Sequence, residues 1–267
     1  MKEMITSLQN PKIKELVRFR DKNGKVSACD ILIEDEREIT RAIDAGIKFR
    51  DAFICEEIFG RYEKDILNEI AKLTDNIYYL TKAVFEKIAY KSEPFGIIIK
   101  AEFQALNLQD IDPECSFILI AESVEKPGNL GALIRTADGA GIDTIILADK
   151  ITDYRNPNVI RASTGTIFSK KIIEASTDET IEYLKSKKFQ IVSADPYGKT
   201  VYSDADFTKK TAIVVGSEAF GLSESMKKNA DILVSIPMKG VADSLNVNQA
   251  ATIILYEALR QKETKKP

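Results

Sequence analysis

The 267-residue chain contains no histidine. Histidine is the side chain that most often serves as a general base near neutral pH, as the central member of a Ser-His-Asp triad and as a ligand of catalytic zinc. Those three classes of site are therefore excluded. An enzyme with this sequence must rely on Arg, Lys, Asp, Glu, Ser, Tyr or backbone groups.

Cysteine is scarce as well, and the three present, Cys29, Cys55 and Cys115, form no CxxC pair. Zinc sites usually draw on closely spaced cysteines, so we predict no metal site. Cys29 and Cys55 adjoin apolar, strand-like runs, where a cysteine is typically a small buried core residue.

Long apolar runs are missing too. No stretch approaches the roughly 20 apolar residues of a membrane helix, and residues 1–10 lack the apolar core of a signal peptide. We expect a cytoplasmic protein that does not associate with membranes.

The net charge of −3 argues against a uniformly basic surface for nucleic acid. Residues 11–25 nevertheless carry a local excess of positive charge, with only Glu15 and Asp21 opposing it. The basic residues of this stretch are Lys12, Lys14, Arg18, Arg20, Lys22 and Lys25. Such a run indicates either a solvated helix face or a face that contacts RNA, and both interpretations stay open on charge alone.

Helix-like and strand-like segments alternate along most of the chain. Residues 104–114 interrupt the alternation, because they are acidic, contain Pro113 and show no period. We place the domain boundary there, with a smaller N-terminal α/β domain over 1–104 and a second domain over 105–267. The second series of segments predicts a mostly parallel sheet with helices on both faces, which is the α/β class.

Three glycine-containing blocks follow apolar strands in the second domain. PGNLGALIRTADGAGI, residues 127–142, opens a helix with Asn129 and Arg135 near its start, and it does not match the GxGxxG pattern of dinucleotide-binding enzymes. VVGSEAFGLS, residues 214–223, offers Glu218 as a polar anchor. Each block alone is equally consistent with an ordinary strand-to-helix turn.

The third block is SIPMKGVADSLNVNQAATIILYEALR, residues 235–260, in which a strand leads through a loop to an amphipathic helix. Ser244 is predicted to cap that helix. Asn246 lies at the helix entrance without an obvious structural role, so a functional role is favoured.

In order, spacing and content these blocks resemble the SpoU family of the SPOUT methyltransferases, which are tRNA and rRNA 2′-O-ribose methyltransferases. The family pattern N-x-G-x-x-x-R-T-A stands at 129–137, G-x-E-x-x-G-L at 216–222, and I-P-M followed by S-L-N-V-x-x-A within 236–250. NPNVIRASTGTIF, residues 156–168, is similar to the Arg-Ala-Ser segment of the family.

The resemblance implies a deep trefoil knot in the C-terminal domain, S-adenosylmethionine held by the knot loops, and a homodimer formed through that domain. It implies that Gly216, Ile236 and Leu245 contact the cofactor, largely through backbone groups. The catalytic and substrate-positioning residues that it implies are Asn129, Arg135, Glu218, Ser244 and Asn246.

The implied reaction is methyl transfer to a ribose 2′-hydroxyl, with ribosomal RNA as the expected substrate. Because a guanidinium stays protonated, we expect Arg135 to hold a substrate phosphate and stabilise the developing alkoxide. A phosphate oxygen or water would accept the proton. Ser244 and Asn246 would orient the ribose, and Glu218 would order Asn129 or the partner subunit's Arg135.

The opening SLQNPKIKELVRFRDKNGK, residues 7–25, is similar to the S-x-x-N-P-x-x-K start of a ribosomal-protein-like domain found in this family. The resemblance implies RNA contacts from Lys12, Lys14 and Arg18, and we add Arg161 from the second domain. Where the family often has Glu-Gly after an apolar run, this chain has Glu34-Asp35.

Four other functions remain as alternatives. One is a tRNA 2′-O-methyltransferase, another is a base or N-methyltransferase of the wider knotted superfamily, and a third is a catalytically silent RNA-binding assembly factor. The fourth is a dinucleotide-binding enzyme, the least favoured because GxGxxG is missing.

Overall fold

A computed structural model describes residues 4–21 and 30–264, so Lys22, Lys25 and Cys29 lie outside the described residues. The strands of the described part are β1 (Met4–Ile5), β2 (Asp30–Ile33), β3 (Lys48–Ile54), β4 (Ile77–Leu80), β5 (Ile97–Glu102), β6 (Phe117–Glu122), β7 (Thr144–Ala148), β8 (Lys171–Ala175), β9 (Gln190–Ala194), β10 (Thr200–Val201), β11 (Thr211–Val215) and β12 (Ile232–Ser235).

The α-helices of the same residues are α1 (Pro11–Asp21), α2 (Glu36–Asp44), α3 (Glu63–Ile70), α4 (Lys82–Ile88), α5 (Pro127–Gly139), α6 (Pro157–Ala162), α7 (Thr177–Ser186), α8 (Glu224–Asn229) and α9 (Val247–Thr264). Short 3₁₀ helices cover Glu56–Ile58, Leu108–Asp110, Thr166–Ser169 and Tyr202–Asp204.

The chain divides into two compact units. The first contains the residues up to Gln104 together with Arg155–Ser169, and the second contains Ala105–Tyr154 together with the chain from Lys170 onward. The polypeptide therefore passes from one unit to the other three times. Residues 155–169 pack within the first unit although they follow the boundary expected from the sequence, and the domain limits 1–104 and 105–267 stay a prediction.

The sheet of the first unit has the strand order β1-β4-β3-β5-β2. β3 is parallel to β4 and antiparallel to β5, so the sheet is mixed. Ile13, Leu16 and Phe19 recur at helical spacing on α1 and are buried against this sheet in a cluster with Phe53 and Phe85. The charged residues of α1 lie on its opposite face.

The segment 155–169 packs closely on α2 within the first unit. Gly165 has a φ of +78°, and a Cβ added there would stand 2.8 Å from the Cα of Glu38. Arg41 of α2 donates to the Thr164 hydroxyl over 2.8 Å. Both the backbone angle and the close approach therefore require glycine at 165.

The start of α2 shows why the chain does not need glycine after Glu34. Asp35 has an extended backbone, with φ −107° and ψ 147°, and its side chain accepts a hydrogen bond from the backbone N–H of Arg37. An aspartate is one of the preferred residues at this capping position. The turn is thus made by a side-chain cap and involves no positive φ.

The sheet of the second unit consists of parallel strands in the order β10-β12-β9-β11-β6-β7-β8. Strands β6, β7 and β11 are almost wholly buried on both faces, and the register partners Ile120, Ile146 and Val214 belong to the core cluster on one of them. Such near-continuous apolar strands are typical of a parallel sheet covered on both faces. The predicted α/β class is confirmed.

Two absences hold for residues 4–21 and 30–264. Within them, no helix is both long and apolar enough to cross a membrane. In the same residues no group of three or more Cys, Asp or Glu side chains is placed to hold a metal ion.

The stability of the first unit should depend on the ionisation of Glu38. This side chain is only 6% exposed. Burial, reinforced by the charge of Asp35, raises its pKa from the usual 4.5 to about 7. A group whose pKa is raised by folding stabilises the fold fully below its unfolded pKa, and the contribution is lost as the pH rises through the folded pKa.

We expect the free energy of unfolding of Glu38→Gln, measured relative to wild type, to increase by about 2 kcal/mol as the pH rises from about 5.5 to 8.5. The reason is that the glutamate ionises over this range and glutamine cannot. Chemical denaturation at both pH values measures the change. Asp44→Asn, at the exposed end of the same helix, is the matched control. A constant difference between Glu38→Gln and wild type over this range would show that the buried carboxyl does not titrate there.

Candidate active site

A cavity of about 510 Å³ lies at the carboxyl ends of β9, β11 and β12 in the second unit. In open α/β sheets this end of the strands is where ligands bind. Gly216, Ile236 and Leu245, the three residues predicted to contact a cofactor, all line the cavity. Glu218, Ser244 and Asn246 line it as well, whereas Asn129 and Arg135 lie on α5 outside its lining.

The loop from Gly216 to Gly221 is tight enough to exclude any side chain at its first position. A Cβ at Gly216 would stand 2.4 Å from the carbonyl carbon and oxygen of Gly221. Ser217 and Gly221 exchange two backbone hydrogen bonds of 3.0 and 2.9 Å, and Gly221 has a φ of +70°. Glycine at 216 therefore lets two stretches of backbone meet at the wall of the cavity.

Two glutamates, one ending β6 and one just after it, connect this loop to the rest of the sheet, and neither belongs to a predicted motif. Glu122 is 1% exposed and accepts hydrogen bonds from the Ser223 hydroxyl (2.6 Å), the Ser223 N–H (2.9 Å) and the Thr177 hydroxyl (2.9 Å). Glu125 accepts one from the Ser217 hydroxyl over 3.1 Å. A carboxylate ending an apolar strand, as Glu122 does, is the sequence signal that could have found the first of them.

Glu218, Asn129 and Asn246 form one hydrogen-bonded network. The Asn129 side-chain amide donates to Glu218 Oε1, and Asn246 Nδ2 donates to Asn129 Oδ1 over 3.2 Å. The other oxygen of Glu218 accepts from the backbone N–H of Glu125 over 3.3 Å. Three residues from three separate sequence blocks are thus brought together.

The Glu218 carboxylate sets the direction of this network. Burial disfavours its charged form, but the hydrogen bonds from Asn129 and Glu125 outweigh that cost and lower its pKa below the usual range. An ionised carboxylate only accepts hydrogen bonds, so the amide of Asn129 must turn its NH₂ toward Glu218 and its oxygen toward Asn246. The orientation of Asn246 follows in turn.

Asn246 also caps α9, which corrects the expectation for Ser244. The helix begins at Val247, and Asn246 Oδ1 accepts a hydrogen bond of 2.9 Å from the backbone N–H of Asn248. The prediction that Ser244 is the cap is wrong, because the helix begins at Val247 and is preceded directly by Asn246, and asparagine is an equally good capping residue. Ser244 is instead exposed at the cavity.

Arg135 projects from the exposed side of α5. Leu133, Ile134 and Ala137 of this helix are buried, and Thr136 donates a 2.9 Å hydrogen bond to the Asn248 side chain of α9. The Arg135 guanidinium makes no hydrogen bond or ion pair with any residue that the structure describes. Its charge is consequently available to an anion from outside the chain.

The residues predicted to contact RNA differ in the contacts that they already make within the protein. Lys14 and Arg18 are exposed one helical turn apart on α1. Lys12 is instead bound to Asp51 over 3.2 Å and lies 4.4 Å from the centre of the Tyr78 ring. Lys12 therefore has a structural role in the first unit.

Arg161, also in the first unit, is exposed but held in place. Its guanidinium donates to Asn158 Oδ1 over 2.8 Å and lies 5.5 Å from the centre of the Tyr90 ring. Asn158 in turn donates to the Tyr90 hydroxyl over 2.9 Å. The three side chains form a fixed cationic patch.

Both parts of the sequence match known protein families. The model described as the SpoU rRNA Methylase family matches residues 116–256, and the MRM3-like substrate binding domain matches residues 10–99. The chain is 29% identical over 250 residues to the 23S rRNA (uridine(2479)-2′-O)-methyltransferase of Streptomyces viridochromogenes, which covers 91% of this chain and 86% of that relative.

Solved structures share the fold over nearly the whole chain. A crystal structure of an RNA 2′-O ribose methyltransferase has a TM-score of 0.83 and 37% identity, covering 98% of this chain and 100% of its own. The AdoMet-bound rRNA methyltransferase from Sinorhizobium meliloti has a TM-score of 0.88 and 28% identity, with 97% of each chain covered.

The tight loop at the cavity gives a direct test of the geometry. We expect Gly216→Ala to lower the free energy of unfolding by about 1–3 kcal/mol, because the methyl group would overlap the backbone of Gly221. Gly240→Ala is the matched control, since a Cβ there would meet nothing within 4 Å. Urea denaturation of both variants measures the difference, and equal stabilities would contradict the close approach.

Proposed function

The chain belongs to the SpoU rRNA methylase family, and on that premise we propose that it transfers a methyl group from S-adenosylmethionine to a ribose 2′-hydroxyl of ribosomal RNA. The observation that carries the proposal is the network of Glu218, Asn129 and Asn246, which joins three separate motif blocks beside one cavity. A substrate hydroxyl can be held at such a network without any histidine.

The cavity fits the cofactor in size and in the character of its wall. Its volume of about 510 Å³ falls in the usual range for small-molecule sites. Gly216 lets the backbone of this loop close tightly at the wall of the cavity. Backbone groups of Gly216, Ile236 and Leu245 would hold S-adenosylmethionine, which when bound supplies an electrophilic methyl group on a sulfonium.

The side chains around the cavity would orient the ribose. Ser244 is exposed there, and Asn246 is fixed in direction through Asn129 and Glu218. Holding a hydroxyl in an attack geometry removes much of the entropic cost of the reaction. We assign Ser244 and Asn246 to positioning of the ribose, and Glu218 with Asn129 to the orientation of Asn246.

Arg135 would supply the electrostatic part of catalysis. A hydroxyl is a poor nucleophile until its proton leaves, and a permanently protonated guanidinium cannot take that proton. Arg135 instead binds a phosphate of the substrate and stabilises the negative charge that develops on the ribose oxygen. The proton passes to a phosphate oxygen or to water.

The proposal includes a homodimer formed through the second unit. Arg135 has no partner among the described residues, and Tyr256 on α9 is 48% exposed beside Gly139 of α5. A second subunit would cover the ring and could bring substrate to the arginine. We place the dimer in the cytoplasm, as expected for a protein that modifies ribosomal RNA.

The proposal also includes the deep trefoil knot of the family. Its support is the chain path in the second unit: β11 and β12 flank β9 in the sheet, and α9 then returns to pack on α5. The proposed knot would bring these elements together in this order.

Ribosomal RNA is favoured over tRNA because a substrate-binding domain precedes the catalytic one and because relatives that span both units are named for 23S rRNA. Lys14 and Arg18 on α1, and the fixed patch at Arg161, would contact phosphates. Mapping 2′-O-methyl groups in ribosomal and transfer RNA from cells with and without the gene tests the function. A new methylated base, a tRNA site or no new methyl group would each contradict it.

Removing the Arg135 guanidinium should lower the turnover rate and leave the affinity for the cofactor unchanged. We expect Arg135→Ala to lower kcat by about 100- to 1,000-fold, the usual effect of losing one group that stabilises the transition state. The affinity for S-adenosylmethionine, measured by calorimetry, should not change. Arg260→Ala, which removes an exposed arginine from α9, is the control. Near-full turnover by Arg135→Ala would remove this residue from the mechanism.

Removing the exposed cations Lys14 and Arg18 of α1 should weaken RNA binding and make it less dependent on salt concentration. We expect Lys14→Ala/Arg18→Ala to reduce the slope of log affinity against log salt by up to about 2 if each side chain neutralises one phosphate. Filter binding over a range of salt concentrations measures the slope. Lys64→Ala/Lys72→Ala, at the start of α3 and just beyond its end, is the control pair of exposed cations, and an equal effect from that pair would indicate non-specific attraction.

A further inference from the structure

Phe220 presents an almost fully exposed aromatic ring at the cavity. Its exposure is 86%, and it is one of the residues that line the cavity wall. Its chain neighbours Ala219, Gly221 and Ser223 are small or polar and are exposed too, and the cavity lining also contains the 88% exposed ring of Tyr197. An exposed flat ring in the wall of a cavity matches a flat ligand group.

The backbone that carries the ring is fixed by several hydrogen bonds. Ser217 and Gly221 close the turn through their backbone groups. The Ser217 hydroxyl accepts from the N–H groups of Ala219 (3.1 Å) and Phe220 (3.2 Å) while donating to Glu125. Because this turn is already ordered, little additional backbone entropy is lost when the ring binds a ligand.

The ring also lies close in sequence to the proposed reaction centre. Phe220 is two residues after Glu218, on the same turn. Glu218 holds Asn129 and, through it, Asn246, the residue that the proposed function places on the ribose. In a nucleotide the base is attached to the ribose directly, so a group beside the ribose site is within reach of a base.

We propose that Phe220 is a positioning residue that stacks on a nucleobase of the RNA substrate, at or next to the methylated nucleotide. The inference rests on the proposed function. Proteins commonly grip unpaired RNA bases on aromatic side chains. The contact is tolerant of sequence because every base has a π face, so Phe220 would hold the base while other groups select it. The ring carries no charge and offers nothing to a phosphate.

Variants of Phe220 that keep or remove the ring test the proposal. We expect Phe220→Ala to raise the KM for RNA by about 10- to 100-fold, with the smaller part of the loss in kcat. Phe220→Leu should behave like Phe220→Ala, because it keeps apolar volume without a π face. Phe220→Tyr should restore the wild-type KM within about twofold.

The controls separate stacking from other roles of the ring. Val241→Ala removes a fully exposed apolar side chain outside the cavity lining and should leave the KM unchanged. Affinity for S-adenosylmethionine and oligomeric state, measured by calorimetry and light scattering, should be unaltered in all Phe220 variants. A wild-type KM in Phe220→Leu, a loss of cofactor affinity or a loss of dimer would each overturn the proposal.

Equilibrium binding to RNA keeps this test apart from the test of the proposed function. Fluorescence anisotropy with a labelled ribosomal RNA fragment needs no turnover, so it reports on Phe220 even if the wild-type protein transfers no methyl group. Weaker binding by Phe220→Ala, restored in Phe220→Tyr, supports the stacking contact. Equal binding by all variants overturns it, whatever the wild-type activity is.

Discussion

The hydrogen bond from Asn129 to the Glu218 carboxylate joins residues 89 positions apart and orients the amide network beside the cavity. Because the carboxylate can only accept, the amide of Asn129 has one orientation, and that orientation directs Asn246 at the start of α9. Glu122 and Glu125 hold the same loops from the other side through serine hydroxyls. The site is thus a set of loops joined by carboxylates that bind neutral donors, with no metal or histidine needed to assemble it.

The absence of histidine gives this site a particular behaviour. The pKa of Glu218 lies below its usual range, and a guanidinium does not lose its proton in proteins. The charges that orient the amide network and face the substrate therefore stay constant over the physiological pH range. Neither of these two groups can act as a general base poised near neutral pH, in keeping with the proposed transfer of the proton to the substrate or solvent.

Much of this arrangement could be predicted from the sequence, and the failures have physical causes. Continuous apolar strands alternating with helices indicate a parallel sheet, and the motif blocks located Asn129, Glu218 and Asn246. Ser244 was expected to cap α9 because patterns place helix ends poorly, and asparagine serves as well. The RNA contact of Lys12 stays a prediction, but its binding to Asp51 and Tyr78, which lie far away in sequence, was not foreseen. Partners brought together only by folding leave little trace in a single sequence.

Because residues 155–169 belong to the first unit, they limit how the two units can be separated or exchanged between proteins. This stretch leaves the second unit after β7 and returns before β8, yet it packs on α2 so closely that Gly165 has no room for a side chain. Cutting the chain near residue 104, the first of its three crossings, and separating the two fragments would remove the packing partners of residues 155–169. It would also expose the face of α2 that this stretch covers. The first unit is therefore not a portable module. Exchanging it between homologues would require a matched pair of inserts, so the two parts are expected to be inherited together.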